Sequence, residues 1–272
     1  MPRFQELESG QAPPPGAGGL VAKRYSILRS LGRGSFGSVY LVRDNRASDG
    51  EQLKVLKQIP VGDLRPDETV RATQEAQLLS QLHHPAILSF YHSFLERDAF
   101  CIVTEFCQRG SSLIGCSEVF PSSAGHCGRV LHRDLKAKNI FLKRNLVKIG
   151  DFGVSCLLMG SCDLATTFTG TPYYMSPEVL NHQGYDSKSD IWALGCLLYE
   201  MCVLSHAFQA PSFLAVAMKI VEGETPALPA RYSADLNAVL QRMLQKDPAS
   251  RPSAAELLKT PFMEDNMKVG PF

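Results

Sequence analysis

Three short segments, in chain order, place carboxylate, amide and amino groups at spacings that suit chemistry on phosphate. They are His132-Arg133-Asp134 with Lys136 and Asn139, then Asp151-Phe152-Gly153, then Ser176-Pro177-Glu178. A carboxylate such as Asp134 can accept or orient the proton of an attacking hydroxyl. Hard cations such as Mg²⁺ bind oxygen ligands, and the carboxylate of Asp151 is the main candidate. The segments therefore predict a proton acceptor and a divalent-cation site.

A glycine-rich segment lies upstream, with Gly32, Gly34 and Gly37 between two stretches of alternating apolar residues. Because glycine has no Cβ atom, the backbone there can approach a phosphate closely and offer N–H donors. Glycine-rich hairpins are common, so the pattern is weak by itself. Its position between two predicted strands argues against a Rossmann dinucleotide site, in which a helix follows the glycines.

The four segments together resemble the motif set of protein kinases, over about residues 24–262 of the 272. The order Asp134-Leu135-Lys136 is similar to that of serine/threonine kinases rather than tyrosine kinases. Within that superfamily, the stretches Leu53 to Lys57, Glu75 to Ser80 and Lys148 to Ser155 resemble the NIMA-related (never-in-mitosis) family. The resemblance implies an α+β, two-lobed kinase fold, with a small β-rich N-lobe and a mainly helical C-lobe.

The resemblance also implies a reaction, the transfer of the γ-phosphate of Mg-ATP to serine or threonine of protein substrates. It assigns the catalytic carboxylate to Asp134 and contact with the γ-phosphate to Lys136. It assigns the Mg²⁺ ligands to Asn139 and Asp151. The residues that it assigns to ATP are Leu31, Gly32, Gly34, Gly37, Val39, Val55, Lys57, Glu75, Thr104, Glu105, Cys107 and Phe141.

The lysine that would hold the α- and β-phosphates has two candidates on one predicted strand, Lys57 and Lys54. The kinase pattern favours Lys57, because Val55 then occupies the small apolar position that contacts adenine. Without that pattern, Lys57 would be interpreted as a solvated strand lysine. Glu75 on the following predicted helix is the expected ion-pair partner, and Glu68 is the alternative.

The stretch from Asp151 to Glu178 corresponds to the activation segment of kinases. A phosphate added there could pair with Arg133 and order the segment. Thr167 is the first candidate for phosphorylation and Thr169 the second.

Three residues are expected to have architectural roles. The resemblance implies an ion pair between Glu178 and Arg251. It also implies that Asp190 holds the backbone of the catalytic loop, which is the segment around Asp134.

Hydrophobic periodicity indicates which elements position these residues. Alternation predicts strands over 25–31, 38–43, 51–59, 87–94 and 100–105, and a helix from Pro66 to about Leu82. Helical spacing with polar or proline boundaries predicts helices over 188–201, 212–221, 234–245 and 253–259, the first capped by Asp186 or Ser187. The predicted organisation is a disordered leader (1–23), an N-lobe with hinge (24–107), a C-lobe (108–264) and a tail (265–272).

The segment from Gln108 to Leu131 departs from the kinase pattern. Kinases have two helices between the hinge and the His-Arg-Asp triplet, but these 24 residues contain four glycines, five serines and a proline, with no apolar stripe of helical period. We therefore predict that the helices here are shortened. A second hypothesis follows, a catalytically impaired or inactive kinase-like binding or scaffold protein that arose by internal deletion. His126 and Cys127 lack further ligands nearby, which favours a loop over a metal site.

The bulk composition excludes some classes of partner. The formal net charge is +1, from 28 basic and 27 acidic residues, so no nucleic-acid or membrane-surface partner is expected. The longest apolar run, 191–204, contains Glu200 and is too short to span a bilayer. The eight cysteines form no C-x-x-C pair, which fits a reduced, intracellular protein, and Cys196 and Cys202 are predicted to be buried.

The family resemblance implies several properties of the protein in the cell. Its partners would be protein substrates and an upstream activating kinase, and the chain as it stands would be a monomer. The resemblance also implies cell-cycle or DNA-damage-checkpoint roles, in nucleus and cytoplasm.

Overall fold

In the computed structural model, the residues described are 20–34, 37–48, 50–61, 83–107, 131–143, 146–150 and 172–268. They fall into two compact units, residues 20–107 and residues 131–268. The first unit is built on a β-sheet and the second is mainly helical. The predicted α+β class is confirmed.

The first unit contains a five-stranded antiparallel sheet with the strand order β1-β2-β3-β5-β4. The strands are β1 (Tyr25–Gly34), β2 (Gly37–Asp44), β3 (Leu53–Pro60), β4 (Phe90–Glu96) and β5 (Ala99–Glu105). The fourth strand lies later than the predicted 87–94. Glu96 pairs with Ala99 across a tight turn in which Arg97 has a φ of +53°, so the polar residues at the end of β4 belong to a hairpin.

Buried apolar side chains lie on both faces of this sheet, and one cluster lies on the face of Leu56, called here the Leu56 face. Tyr25, Val42, Leu56, Cys101 and Val103 are completely buried there. Successive side chains of a strand point to opposite faces. Residues at odd steps from Leu56 along β3 therefore lie on the other face.

The second unit begins with a hairpin and continues with six helices among its described residues. The hairpin pairs β6 (Ile140–Lys143) with β7 (Leu146–Ile149). The helices are α1 (Pro177–Leu180), α2 (Ser187–Val203), α3 (Phe213–Val221), α4 (Ala234–Met243), α5 (Ala254–Leu258) and α6 (Pro261–Lys268). The hairpin, α1 and α6 were not among the predicted elements.

Side-chain caps fix where the predicted helices begin. Asp186 caps α2, where its carboxylate accepts from the N–H groups of Lys188 and Ser189. Ser212, Ser233 and Ser253 cap α3, α4 and α5 in the same manner. A capping oxygen satisfies N–H groups that have no partner within the helix. The helix starts predicted from these polar residues are therefore confirmed to within a residue or two.

Helix α2 lies at the centre of the second unit. Trp192, Cys196 and Leu197 of α2 are almost fully buried against residues of α3 and α4, including Ile220 and Leu240. The predicted burial of Cys196 and Cys202 is confirmed, at 1% and 7% exposure. Across the described ranges, no helix combines the length and apolarity needed to cross a membrane.

Candidate active site

The register of the sheet separates the two candidate lysines. Lys57 on β3 pairs with Val39 on β2 and Ile102 on β5, and Val55 pairs with Thr104. Residues directly opposite each other share a face. The predicted nucleotide-binding residues Val39, Val55, Lys57 and Thr104 therefore share one face, opposite the Leu56 face.

Lys54 lies on the Leu56 face of the same strand. It is only 3% exposed, its Nζ atom lies 3.4 Å from the centroid of the Tyr91 ring, and Glu51 is 3.9 Å away. An ammonium group over an aromatic face is held by the ring's quadrupole. The structure thus gives Lys54 a packing role and groups Lys57 with the predicted adenine contacts.

The glycine-rich hairpin also has a structural requirement that the sequence pattern did not reveal. Gly32 pairs with Val39, and Gly34 with Gly37. Gly37 has a φ of +139°, and a Cβ atom there would lie 2.0 Å from the carbonyl oxygen of Gln58 on β3. This glycine is needed for close packing of β2 on β3, whatever the hairpin binds. Leu31, which was also predicted to contact ATP, is half-buried on β1.

The predicted hinge residues follow β5 and differ in orientation. Glu105 is buried on the Lys54 face, where its Oε1 accepts from the Ser89 N–H at 2.8 Å. Its own N–H donates to the Ser89 carbonyl at 2.9 Å. The Glu105 side chain therefore holds the end of β5 in place. The group of Glu105 that could contact a nucleotide is its backbone carbonyl. Cys107 is half-buried just beyond.

In the catalytic loop, two of the predicted residues, Lys136 and Asn139, donate hydrogen bonds to the carboxylate of a third, Asp134. Lys136 Nζ donates to both oxygens of Asp134, at 2.8 and 2.7 Å. Asn139 Nδ2 donates to Asp134 Oδ2 at 2.9 Å and to the Asp134 carbonyl at 2.8 Å. The side chains of Asp134 and Lys136 are 32% and 30% exposed, so a solute can reach the pair.

The orientation of Asn139 bears on metal binding. Both atoms that face its nitrogen are oxygens, so that nitrogen must be the donating NH₂ group, and the amide oxygen is left for a cation. The Asn139 carbonyl also accepts from the Gly150 N–H at 2.9 Å. Gly150 follows β7, so the β6–β7 hairpin brings the chain back beside Asn139 immediately before Asp151. This arrangement fits a hard cation held by oxygen ligands.

His132 was not among the predicted site residues, yet its ring contacts two segments, the catalytic loop at Asp134 and the residue after β7, Gly150. It is 6% exposed, its Nδ1 accepts from the Asp134 N–H at 3.2 Å, and its Nε2 lies 3.1 Å from the Gly150 carbonyl. A neutral ring protonated at Nε2 satisfies both contacts. Hydrophobic periodicity does not single out His132. The signal that could have identified it is its position two residues before Asp134. Phe141, half-buried on β6, pairs with Lys148.

Asp190 binds the backbone of the catalytic loop from α2. Its Oδ2 accepts from the His132 N–H at 2.9 Å, and its Oδ1 accepts from the Arg133 N–H at 3.1 Å. Tyr185, which sequence reasoning missed, donates its hydroxyl to Oδ1 at 2.5 Å. Arg133 has a φ of +64°, a left-handed conformation that costs free energy for a residue with a side chain. The two hydrogen bonds to Asp190 stabilise that turn.

Glu178 and Arg251 form a buried, bidentate ion pair. The two N–O distances are 2.8 and 2.7 Å, and the Arg251 side chain is fully buried. All five N–H donors of Arg251 are used, because the other bonds go to the carbonyls of Gln245, Lys188 and Lys246. Burial by itself would raise the pKa of Glu178, but the hydrogen bonds from Arg251 and Ser189 outweigh it and lower that pKa.

Four predicted residues lie outside the described ranges. They are Glu75, Asp151, Thr167 and Thr169, together with the predicted helix over 66–82 and the segment 108–130. Their roles stay predictions.

Comparison with known proteins identifies the class. Residues 25–121 and 123–263 match the protein kinase domain, so the chain belongs to the protein kinase family. Within that family it is NIMA-related, and this prediction from the sequence is confirmed. It is 57% identical to serine/threonine-protein kinase Nek11 of Mus musculus and 56% identical to that of Homo sapiens, over 92% of this chain in each comparison. A probable serine/threonine-protein kinase nek3 of Dictyostelium discoideum is 38% identical over 90% of this chain.

The chain spans less than half the length of these relatives, 43%, 42% and 24% of their sequences. The alignment with the mouse relative covers 270 positions but 92% of this chain's 272 residues, about 250, so about 20 positions have no counterpart in this chain. The kinase-domain match is interrupted at residue 122, inside the segment 108–131. The shortening of that segment stays a prediction.

Proposed function

We propose that this chain transfers the γ-phosphate of ATP to serine or threonine hydroxyls of protein substrates, with Mg²⁺ as the metal. The observation that carries the proposal is the catalytic loop, in which Asp134, Lys136 and Asn139 lie within hydrogen-bonding distance of one another. Family membership supports ATP and divalent-metal use in general, and the relatives are named serine/threonine-protein kinases.

Each residue of the loop would have a separate task. Asp134 would accept or orient the proton of the substrate hydroxyl. Lys136, now on the Asp134 carboxylate, is positioned to exchange that contact for a γ-phosphate oxygen. The Asn139 amide oxygen would hold the cation together with Asp151. When bound, Mg²⁺ would neutralise phosphate charge.

The first unit would supply nucleotide recognition. Val39, Val55 and Thr104 share the sheet face of Lys57, which supports apolar contacts for an adenine ring and a cation for the phosphates. Glu75 is the proposed partner of Lys57. We further propose activation by phosphate on Thr167 or Thr169, added by an upstream kinase and paired with Arg133.

The cellular setting is also proposed. From its membership of the NIMA-related family, we propose a cell-cycle or DNA-damage-checkpoint role, in nucleus and cytoplasm. The near-zero net charge supports a protein that acts on other proteins rather than on nucleic acid or a membrane. That the chain acts as a monomer is part of the same proposal.

A transfer assay tests the proposed reaction. We expect phosphate from Mg-ATP to appear on serine or threonine of a protein substrate, and Asp134→Asn to lower turnover by about 10²–10⁴-fold, the usual contribution of a general base. Asp235→Asn, a matched change at an exposed position on α4, should leave turnover unchanged. Mg-ATP should raise the melting temperature, because a ligand that binds the folded state stabilises it.

A folded chain that transfers no phosphate in any phosphorylation state would refute the enzymatic proposal. Mg-ATP that left the melting temperature unchanged would refute nucleotide binding as well.

A further inference from the structure

A second cluster of polar and aromatic side chains lies beside the catalytic loop. The His206 ring stacks on the Tyr173 ring, with 3.8 Å between centroids and 15° between planes. It also meets the Tyr174 ring edge-on at 5.8 Å and 81°. His206 Nδ1 is buried and lies 3.5 Å from Glu200 Oε2, at ion-pair distance but without hydrogen-bond geometry. His206 therefore contacts three residues that come from two different parts of the chain.

Tyr174 connects this cluster to the catalytic loop. Its hydroxyl donates to Glu200 Oε2 and accepts from the Ala137 N–H at 3.4 Å. Ala137 directly follows Lys136 and opens the 3-10 turn that ends at Asn139. A contact made at His206 can thus fix, through Glu200 and Tyr174, the backbone between two residues of the proposed site.

The electrostatics keep the cluster in the required protonation states. Burial alone would raise the pKa of Glu200, but the contacts from His206 and Tyr174 outweigh it and lower that pKa. Burial raises the pKa of Tyr174, and its hydrogen bond to Glu200 raises it further. Glu200 is therefore a carboxylate that accepts, and Tyr174 a neutral hydroxyl that donates. The Glu200 side chain is only 13% exposed, so water competes weakly for it.

We infer that His206 is a positioning residue for phosphoryl transfer, which holds Glu200 and thereby the Tyr174 hydroxyl against the Ala137 amide. This inference rests on the proposed function. The contact with Glu200 transmits the effect, and the ring stack on Tyr173 holds the imidazole in place. Phosphoryl transfer depends strongly on placement, because a small displacement of a catalytic group lowers the rate.

Steady-state kinetics on four variants test the inference. His206→Ala should lower kcat about tenfold, a loss of about 1.4 kcal/mol. The Kd for Mg-ATP should not change. His206→Asn keeps a polar group near the position of Nδ1 and should retain kcat to within about threefold. His206→Phe keeps an aromatic ring but has no nitrogen facing Glu200 and should resemble His206→Ala. His182→Asn, at an exposed position of the same unit, is the control.

Hydrogen exchange gives a readout that does not depend on activity. The Ala137 amide should exchange faster in His206→Phe than in wild type and His206→Asn, while the α2 amides of all three exchange alike. Equal exchange at Ala137 in all three, or a His206→Phe variant with wild-type kcat, would overturn the inference. If the wild-type chain transfers no phosphate, the proposed function fails, and the exchange comparison still decides the role of His206.

Discussion

The two units of the molecule position their functional side chains by different physical means. In the first unit, strand alternation places Val55 and Lys57 on one face and Lys54 on the other. In the second unit, polar side chains bind backbone groups far away in sequence, as the half-buried Asp190 does at His132, 58 residues away. The first unit should therefore tolerate side-chain changes that keep the strand register. The second should respond to the loss of single hydrogen-bonding groups.

The largest effect on stability is expected from Arg251→Ala. This change leaves the buried Glu178 carboxylate without its partner, and breaking a buried pair by removing one member costs about 3–5 kcal/mol. Denaturant unfolding measures the loss, with Arg242→Ala at an exposed position as the control. A cost below about 1 kcal/mol, the range of surface pairs, would contradict the role given to the pair.

The next effect compares two lysines on one strand. Lys57→Met should lower kcat by about 10²–10³-fold, the usual cost of removing one group that stabilises transition-state charge. Lys54→Met should leave kcat within about threefold, because its ammonium lies over Tyr91 on the other face. The measurement is turnover on a common substrate. Equal losses in the two variants would mean that the register does not separate their roles.

A smaller effect is expected from Asp190→Ala. Two backbone N–H groups, at His132 and Arg133, lose their acceptor, and a buried donor left unsatisfied costs about 1–3 kcal/mol. Because Arg133 relies on these bonds for its left-handed turn, kcat should fall more than the Kd for Mg-ATP changes. Tyr185→Phe removes only the hydroxyl on Asp190 and should have the weaker effect of the two. The reverse order would show that Tyr185, rather than Asp190, supports the loop.

The smallest effect is the pH dependence contributed by Glu178. Its pKa is lowered in the folded state, so its stabilisation is complete above the ordinary value of 4.5 and is lost as the pH falls below that value. The difference in unfolding free energy between wild type and Glu178→Gln should therefore narrow on acidification below about pH 4.5. Unfolding curves at pH 7 and at pH 4 measure it. A difference that grows on acidification would mean that the pKa is raised instead.

Much of the first unit could be predicted from its sequence, because alternation in β2, β3 and β5 is a local signal that directly reports a sheet face. From the sequence, only the kinase pattern favoured Lys57 over Lys54 as the phosphate-binding lysine. The strand register separates the two lysines without that pattern. At Glu105 the register places the side chain on the Lys54 face, against Ser89, which its motif position did not indicate. Its nucleotide contact stays a prediction.

In the second unit, individual contacts were predictable only where a motif carried them. Glu178 with Arg251 and Asp190 with the catalytic loop came from the resemblance, since partners 73 and 58 residues apart leave no periodic trace. Tyr185, His132 and His206 were missed because neither a motif role nor a periodic pattern pointed to their contacts. Helix boundaries were recovered well because a cap such as Asp186 is read from adjacent residues.

The division of β3 into two faces has a consequence for changes in chain length. Inserting one residue between Val55 and Lys57 would move every later side chain of the strand to the opposite face. Lys57 would then lie on the Leu56 face, and the buried side chain of Ile59 would change faces with it. The same insertion in the turn between Asn45 and Gln52 would leave both faces intact. In β3, inserting an odd number of residues would therefore remove the lysine from its face as surely as substituting it would remove its charge.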